Sequence, residues 1–157
     1  MSVNSDIRDE VFTLVDGVTG VENVYKRRAT YENSAAFKNL FRVAAKNRYL
    51  GFTIARVSRT SLLTAFSNKI RDTYSISIVG LIGVEDDGAN ISYTILDDLM
   101  VEIGDVLNLN LTLNAKVTDA EFAEVGALDL DSAVGNTIWT GEIIMMYHKD
   151  RIVGSID

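Results

Sequence analysis

His148 is the only histidine and there is no cysteine, so the side chains that most often serve as base, thiolate or zinc ligand are nearly missing. A serine or threonine nucleophile would have to be built around His148, which closes a strand-like run beside Lys149 and Asp150. No G-x-S-x-G elbow occurs anywhere in the chain. One histidine without cysteine supplies too few of the usual zinc ligands, and disulfides are excluded. Carboxylates are abundant. Glu85-Asp86-Asp87 and the pair Asp129 and Asp131 are the places to look for a calcium or magnesium site. Neither has the D-x-D-x-D-G spacing or the bidentate glutamate that closes such a loop, and both read as solvated turns. Gly80 and Gly83 stand at a strand end, as in nucleotide-binding folds, but the loop after them is acidic and would repel a phosphate. The residues therefore point to no catalytic group, no cofactor and no metal, and the expectation is a protein that is not an enzyme.

Charge carries more information. The net charge of −7 argues against a general DNA-coating role, which depends on phosphate neutralisation by Lys and Arg. Its distribution is uneven. Through Asp72 there are twelve basic and seven acidic residues, and beyond it three basic and fifteen acidic ones. Halves of opposite sign could draw copies of the chain together head to tail if they face different ways, and would be neutral bystanders if folding intermixes them. Lys26, Arg27, Arg28, Arg56 and Arg59 are the candidate basic contact. Glu85, Asp86 and Asp87, then Asp97, Asp98, Glu102 and Asp105, are the candidate acidic surface.

These residues must be positioned by a few elements, chiefly the stretch from Ile70 to Leu107. Thr73 to Ile78 alternates polar and apolar, the period of a strand with one buried face, and the apolar run continues to Ile82. Glu85-Asp86-Asp87-Gly88 reads as a turn. After Asn90, a candidate N-cap, Ile91, Ile95, Leu99, Ile103 and Leu107 recur every fourth residue, with Leu96, Met100 and Val106 beside them. That spacing predicts a core helix laid across its own sheet. Earlier in the chain a helix is expected from Ser5, its candidate cap, to Gly17 or Gly20. A strand over Val21–Ala29, a helical segment over Tyr31–Asn47 and a strand over Tyr49–Arg59 follow; Ser58–Lys69 is a strand, helical turn or docked loop. Asn108–Asn114 alternates strictly and reads as a frayed helix end with an extended segment. Strand character returns at Glu121–Val125, Gly135-Asn136 marks a turn, and Thr137–Lys149 is the last and longest strand. Its Trp139, Ile143, Met145 and Tyr147 lie on one face, with Ile138, Ile144 and Met146 on the other. Apolar side chains on both faces imply a central place in the sheet. The 157 residues suit a single domain, with a loosely ordered tail at about 151–157. No run of ~18 apolar residues that could span a membrane is present, and residues 2–10 have no apolar core of a signal peptide.

The order of these features resembles the tail terminator (tail completion) proteins of long-tailed bacteriophages, the minor tail protein U type. The residues that carry the resemblance are Phe37-Lys38-Asn39-Leu40-Phe41, Gly51-Phe52-Thr53-Ile54, the strand and acidic turn from Asp72 to Asp87, a long helix, and a closing strand through Met146-Tyr147-His148. The resemblance implies an α+β fold, a mixed and largely antiparallel sheet with two or three helices packed on one face. It also implies a structural virion protein in the tail, assembled in the host cytoplasm. Six copies would form a ring that caps the finished tail tube, ends its polymerisation and joins the head. Its partners would be itself, the tail tube protein and a head–tail connector or stopper, with DNA passing without specific binding through a lumen whose first candidate lining is Glu85, Asp86 and Asp87 and whose second is Asp97, Asp98, Glu102 and Asp105. Another head–tail connector or tail tube component, or a small ligand-binding or enzymatic α+β domain, are the alternatives. The segments Ser58–Lys69 and Asp119–Asp131 depart from the family pattern.

Overall fold

The fold is built on three long antiparallel strands, β3 (Arg48–Leu63), β4 (Lys69–Gly83) and β8 (Asn136–Ile152), with β4 in the middle. A computed structural model describes residues 2–43, 48–64, 68–84 and 89–153 of the chain. Side-chain alternation sets the register, so that Ile54, Ile78 and Ile143 fall side by side across the three strands. Short strands complete the edges. β1 (Val24–Tyr25) runs parallel to β3 at Phe52 and Thr53, and β2 (Arg42–Val43) pairs with Arg48 and Tyr49. On the far side β5 (Asp119–Ala120), β6 (Glu124–Val125) and β7 (Asp129–Ala133) line the outer side of β8 in turn. The sheet order is β1-β3-β4-β8-β5, with β6 and β7 also on β8.

The two faces of this sheet differ. On one, Phe52, Ile54, Ile76, Ile78, Ile143, Met145 and Tyr147 pack beneath α1 (Val3–Asp16) and α3 (Ala89–Asn108). α3 can lie close because Gly80 and Gly141 leave room, and a Cβ at Gly80 would stand 2.7 Å from Met100 Sδ. The opposite face carries a smaller cluster under α2 (Ser34–Phe41), where Phe37 and Phe41 meet Leu81, Ala133 and Ile138. Gly51 is required there, since a Cβ would come 2.1 Å from Phe41 Cδ1. The fold is thus an α+β domain with a mixed, largely antiparallel sheet and two helices on one face, while the third helix lies on the other.

Several boundaries differ from the sequence reading, each for a local reason. Ser2, not Ser5, caps α1, accepting the Ser5 amide at 3.2 Å. Only Val24–Tyr25 of the expected strand at 21–29 joins the sheet, and α2 starts after Asn33, whose side chain caps the Ala36 amide. Asn90 falls inside α3 rather than before it. The buried stripe of α3 is also rotated. Ser92 is buried and gives its hydroxyl to the Gly83 carbonyl at 3.3 Å, which leaves Ile91 half exposed. The alternating Asn108–Asn114 run is a series of turns in which Leu113, Asn114 and Ala115 all take positive φ, and Leu113 is driven into the core. Ser58–Leu63 simply continues β3, and β8 runs on to Ile152, with the Val153 amide on the Asn68 carbonyl at 2.7 Å, so the tail is in place through Val153. The turn before β8 is made by Val134 and Gly135, both at positive φ, as a tight hairpin requires.

Leu99 on α3 is 7% exposed, so Leu99→Ala should destabilise the fold by about 2–5 kcal/mol, read as a lowered denaturant midpoint. Tyr147 is fully buried, its hydroxyl has no partner among the described residues, and burial pushes its ionisation upward. Tyr147→Phe removes that unsatisfied group and should stabilise the protein by roughly 1 kcal/mol, seen as a raised melting temperature.

Candidate functional site

The basic candidates gather on one edge of the sheet. Lys26, Arg27 and Arg28 follow β1 directly and are exposed, and Arg56 and Arg59 lie on β3 just past the residues that β1 pairs with. Lys26 is anchored back to α1, 3.1 Å from Asp9 and above the Phe12 ring. Arg59 reaches Asp72 and covers the Tyr74 ring. Between Arg56 and Ser58 the register shifts by one residue, a bulge at Val57, which is half exposed. Beyond Thr53 no strand pairs with the outer side of β3 among the described residues.

The opposite edge is acidic. Glu124, Asp129 and Asp131 are exposed on β6 and β7, and Asp131 accepts the Ser132 amide at 2.7 Å. Between the edges, the face left open by α2 forms two neighbouring clefts. One, of about 500 Å³, is bordered by Glu124, Asp129 and Ile144; the other, of about 380 Å³, by Arg28, Tyr31 and Ser77. Val79 and Glu142 belong to both, and Glu142 accepts the Ser77 hydroxyl at 2.6 Å.

Asp98, Glu102 and Asp105 share an exposed stripe and Asp97 is half-buried. α3 crosses the sheet obliquely: Asp98 and Leu99 border a cleft with Arg48 and Leu50 on the β3 side, whereas Gly104 lies against Val125 of β6. Glu85, Asp86 and Asp87 fall outside the described residues.

Sequence reasoning missed the partners of His148, which sits inside β8 rather than at a strand end. Its Nδ1 is 2.8 Å from Thr73 Oγ1 and its Nε2 3.6 Å from Glu121 Oε1, a hydroxyl, imidazole and carboxylate in line. Thr73 is paired on both sides, with Thr60 and with His148. The trio ties β4 and β8 to the segment that carries Glu121. No group of three or more potential metal-binding side chains occurs among the described residues.

Nearby, Asp72 is fully buried and accepts from Ser61 Oγ at 2.5 Å, Arg151 Nε at 2.8 Å and Arg59 at 3.1 Å. On the other face Arg71 grips Asp150 at 2.8 Å and Asp119 at 3.1 Å. Burial works to raise the Asp72 pKa, but the bonds from Ser61, Arg151 and Arg59 outweigh it and hold the carboxyl below its ordinary range. The hydrogen bond from Arg71 likewise holds Asp150 down.

No protein-family model matches this chain, and no curated protein matches it. Among the described residues no helix is long and apolar enough to cross a membrane.

Asp72→Asn should cost roughly 2–3 kcal/mol, the value of charge-assisted bonds moderated because Arg59 is 40% exposed and can turn to water. A carboxyl held low in the folded state stabilises fully above its unfolded pKa of about 3.9, and that share is lost as pH falls through the folded value. The melting temperature should therefore drop more steeply below about pH 4 in the native chain than in Asp72→Asn.

Proposed function

We propose that this chain is a ring-forming structural protein, the subunit of a phage tail terminator that closes the end of the tail tube and presents the surface that joins the head. The carrying observation is that one sheet has a basic edge, with Arg27, Arg28 and Arg56, and an acidic edge, with Glu124, Asp129 and Asp131. A contact of one patch with a different patch is heterologous, and it generates rings when the rotation closes. The order of elements that resembles the terminators supplies the assignment to the tail. On this reading the further partners are the tail tube protein and a head–tail connector, and the place of action is the virion tail. DNA would pass through the lumen unbound. Among the described residues, the exposed stripe of Asp98, Glu102 and Asp105 is an acidic surface suited to line such a passage, because like charge does not hold phosphate.

Purified protein should form closed rings by negative-stain imaging and sedimentation. Ring content should fall as ionic strength rises, since exposed charges are screened over ~8–10 Å. Added to polymerising tube protein, it should shorten the tubes and sit at one end. A protein that stays monomeric at low salt and leaves tube length unchanged would refute this function.

A further inference from the structure

We infer that copies join by continuing the sheet: the outer side of β3 in one copy pairs, backbone to backbone, with β7 of the next. The inference builds on the ring reading and specifies its contact.

β3 beyond Thr53 offers a strand edge on which no strand lies among the described residues, and such an edge is a template for another strand. β7 is the matching piece. It pairs with β8 on one side only, and Asp129, Leu130, Asp131 and Ser132 are all exposed. Charge selects between the possible pairings. β3 against its own copy would bring Arg56 toward Arg56 with Arg27 and Arg28 close by, and β7 against itself would oppose Asp129 and Asp131. Only β3 against β7 brings a basic edge, with Arg27, Arg28 and Arg56, against an acidic one, with Asp129 and Asp131. Apolar surface agrees with this choice: Val57 is 50% exposed on one edge and Leu130 is 56% exposed on the other. The bulge at Val57 interrupts the edge, so a short strand such as β7 is accommodated while a long flat one is not. The polarity of the contact follows. Each copy keeps one unused edge of either sign until the ring closes.

Two variants test the contact, Arg27→Asp with Arg28→Asp and Arg56→Asp, and the pair Asp129→Arg with Asp131→Arg. Their circular dichroism and melting should match the native chain, since these side chains are exposed. Each variant alone carries edges of one sign and should fail to assemble. Mixed in equal amounts they should form rings again, with the two variants alternating. Hydrogen exchange on the native chain adds a backbone readout: amides in Ala55–Ser58 and Asp129–Ser132 should slow on going from dilute monomer to ring. Rings that form with unchanged exchange in both segments, or variants that assemble alone, would overturn the shared sheet while leaving the ring itself standing. A dimer that protects Ala55–Ser58 but not β7 would establish self-pairing and also overturn it. A native chain that never assembles removes the ring and this contact together.

Discussion

Strand length is the constraint on which the rest of this structure depends. β3, β4 and β8 hold 16, 15 and 17 residues, which at ~3.4 Å per residue means roughly 50 Å or more of ladder. α3, the longest helix, has 20 residues and spans only about 30 Å even if it ran along them. Helices therefore cover one end of the ladder, and the other end must be held differently. The switch is visible at the paired Tyr74 and Tyr147, both buried. On one side of them lie the isoleucine rows and Met145; on the other the side chains become Asp72, Arg59 and Arg151 on one face and Arg71, Asp150 and Asp119 on the other. An ionic clasp on each face replaces the hydrophobic layer that the helices cannot supply. Because Asp72 is fully buried while its arginines reach solvent, this end of the ladder depends on a carboxylate staying charged.

This division explains which parts of the fold were legible in the sequence. β4 alternates because one face lies under α3, and α3 shows a helical period because it covers that face, so both stood out. The β8 strand and the turn before it were also readable, from apolar residues on both faces and from Gly135. Ser58–Leu63 gave no signal because its neighbours are charges and water rather than a core, so no apolar alternation marks the strand. β5, β6 and β7 are strands only because β8 offers them an edge, and the strand expected over Glu121–Val125 holds only at Glu124–Val125, with residues 121–123 outside the sheet. Asn108–Asn114 failed in the opposite sense: its polar–apolar alternation imitates a strand, but consecutive residues at positive φ turn the chain and insert Leu113 into the core. The setting of His148 could not be read at all. Thr73 is 75 positions away and joins it only through the β4–β8 register.

The charge asymmetry was legible as composition but not as geometry, and topology is what converts one into the other. The balance of charge along the chain changes at Asp72, which lies in β4, and β4 is the middle strand of the sheet. Everything on the β1 and β3 side comes from the basic part of the chain, and β8 with β5, β6 and β7 comes from the acidic part. A hairpin that returned to the other side of β3 would have placed the two signs on one edge and cancelled them. Here four strand spacings separate β1 from β5, roughly 19 Å at ~4.8 Å each. That exceeds the screening length of ~8–10 Å in physiological salt, so the two edges do not neutralise one another and each keeps its own field. A second copy approaching edge-on would meet repulsion at a like edge and attraction at the unlike one. In the proposed ring, short-range steric fit would then act on an orientation that charge had already selected, making the contact both directional and specific.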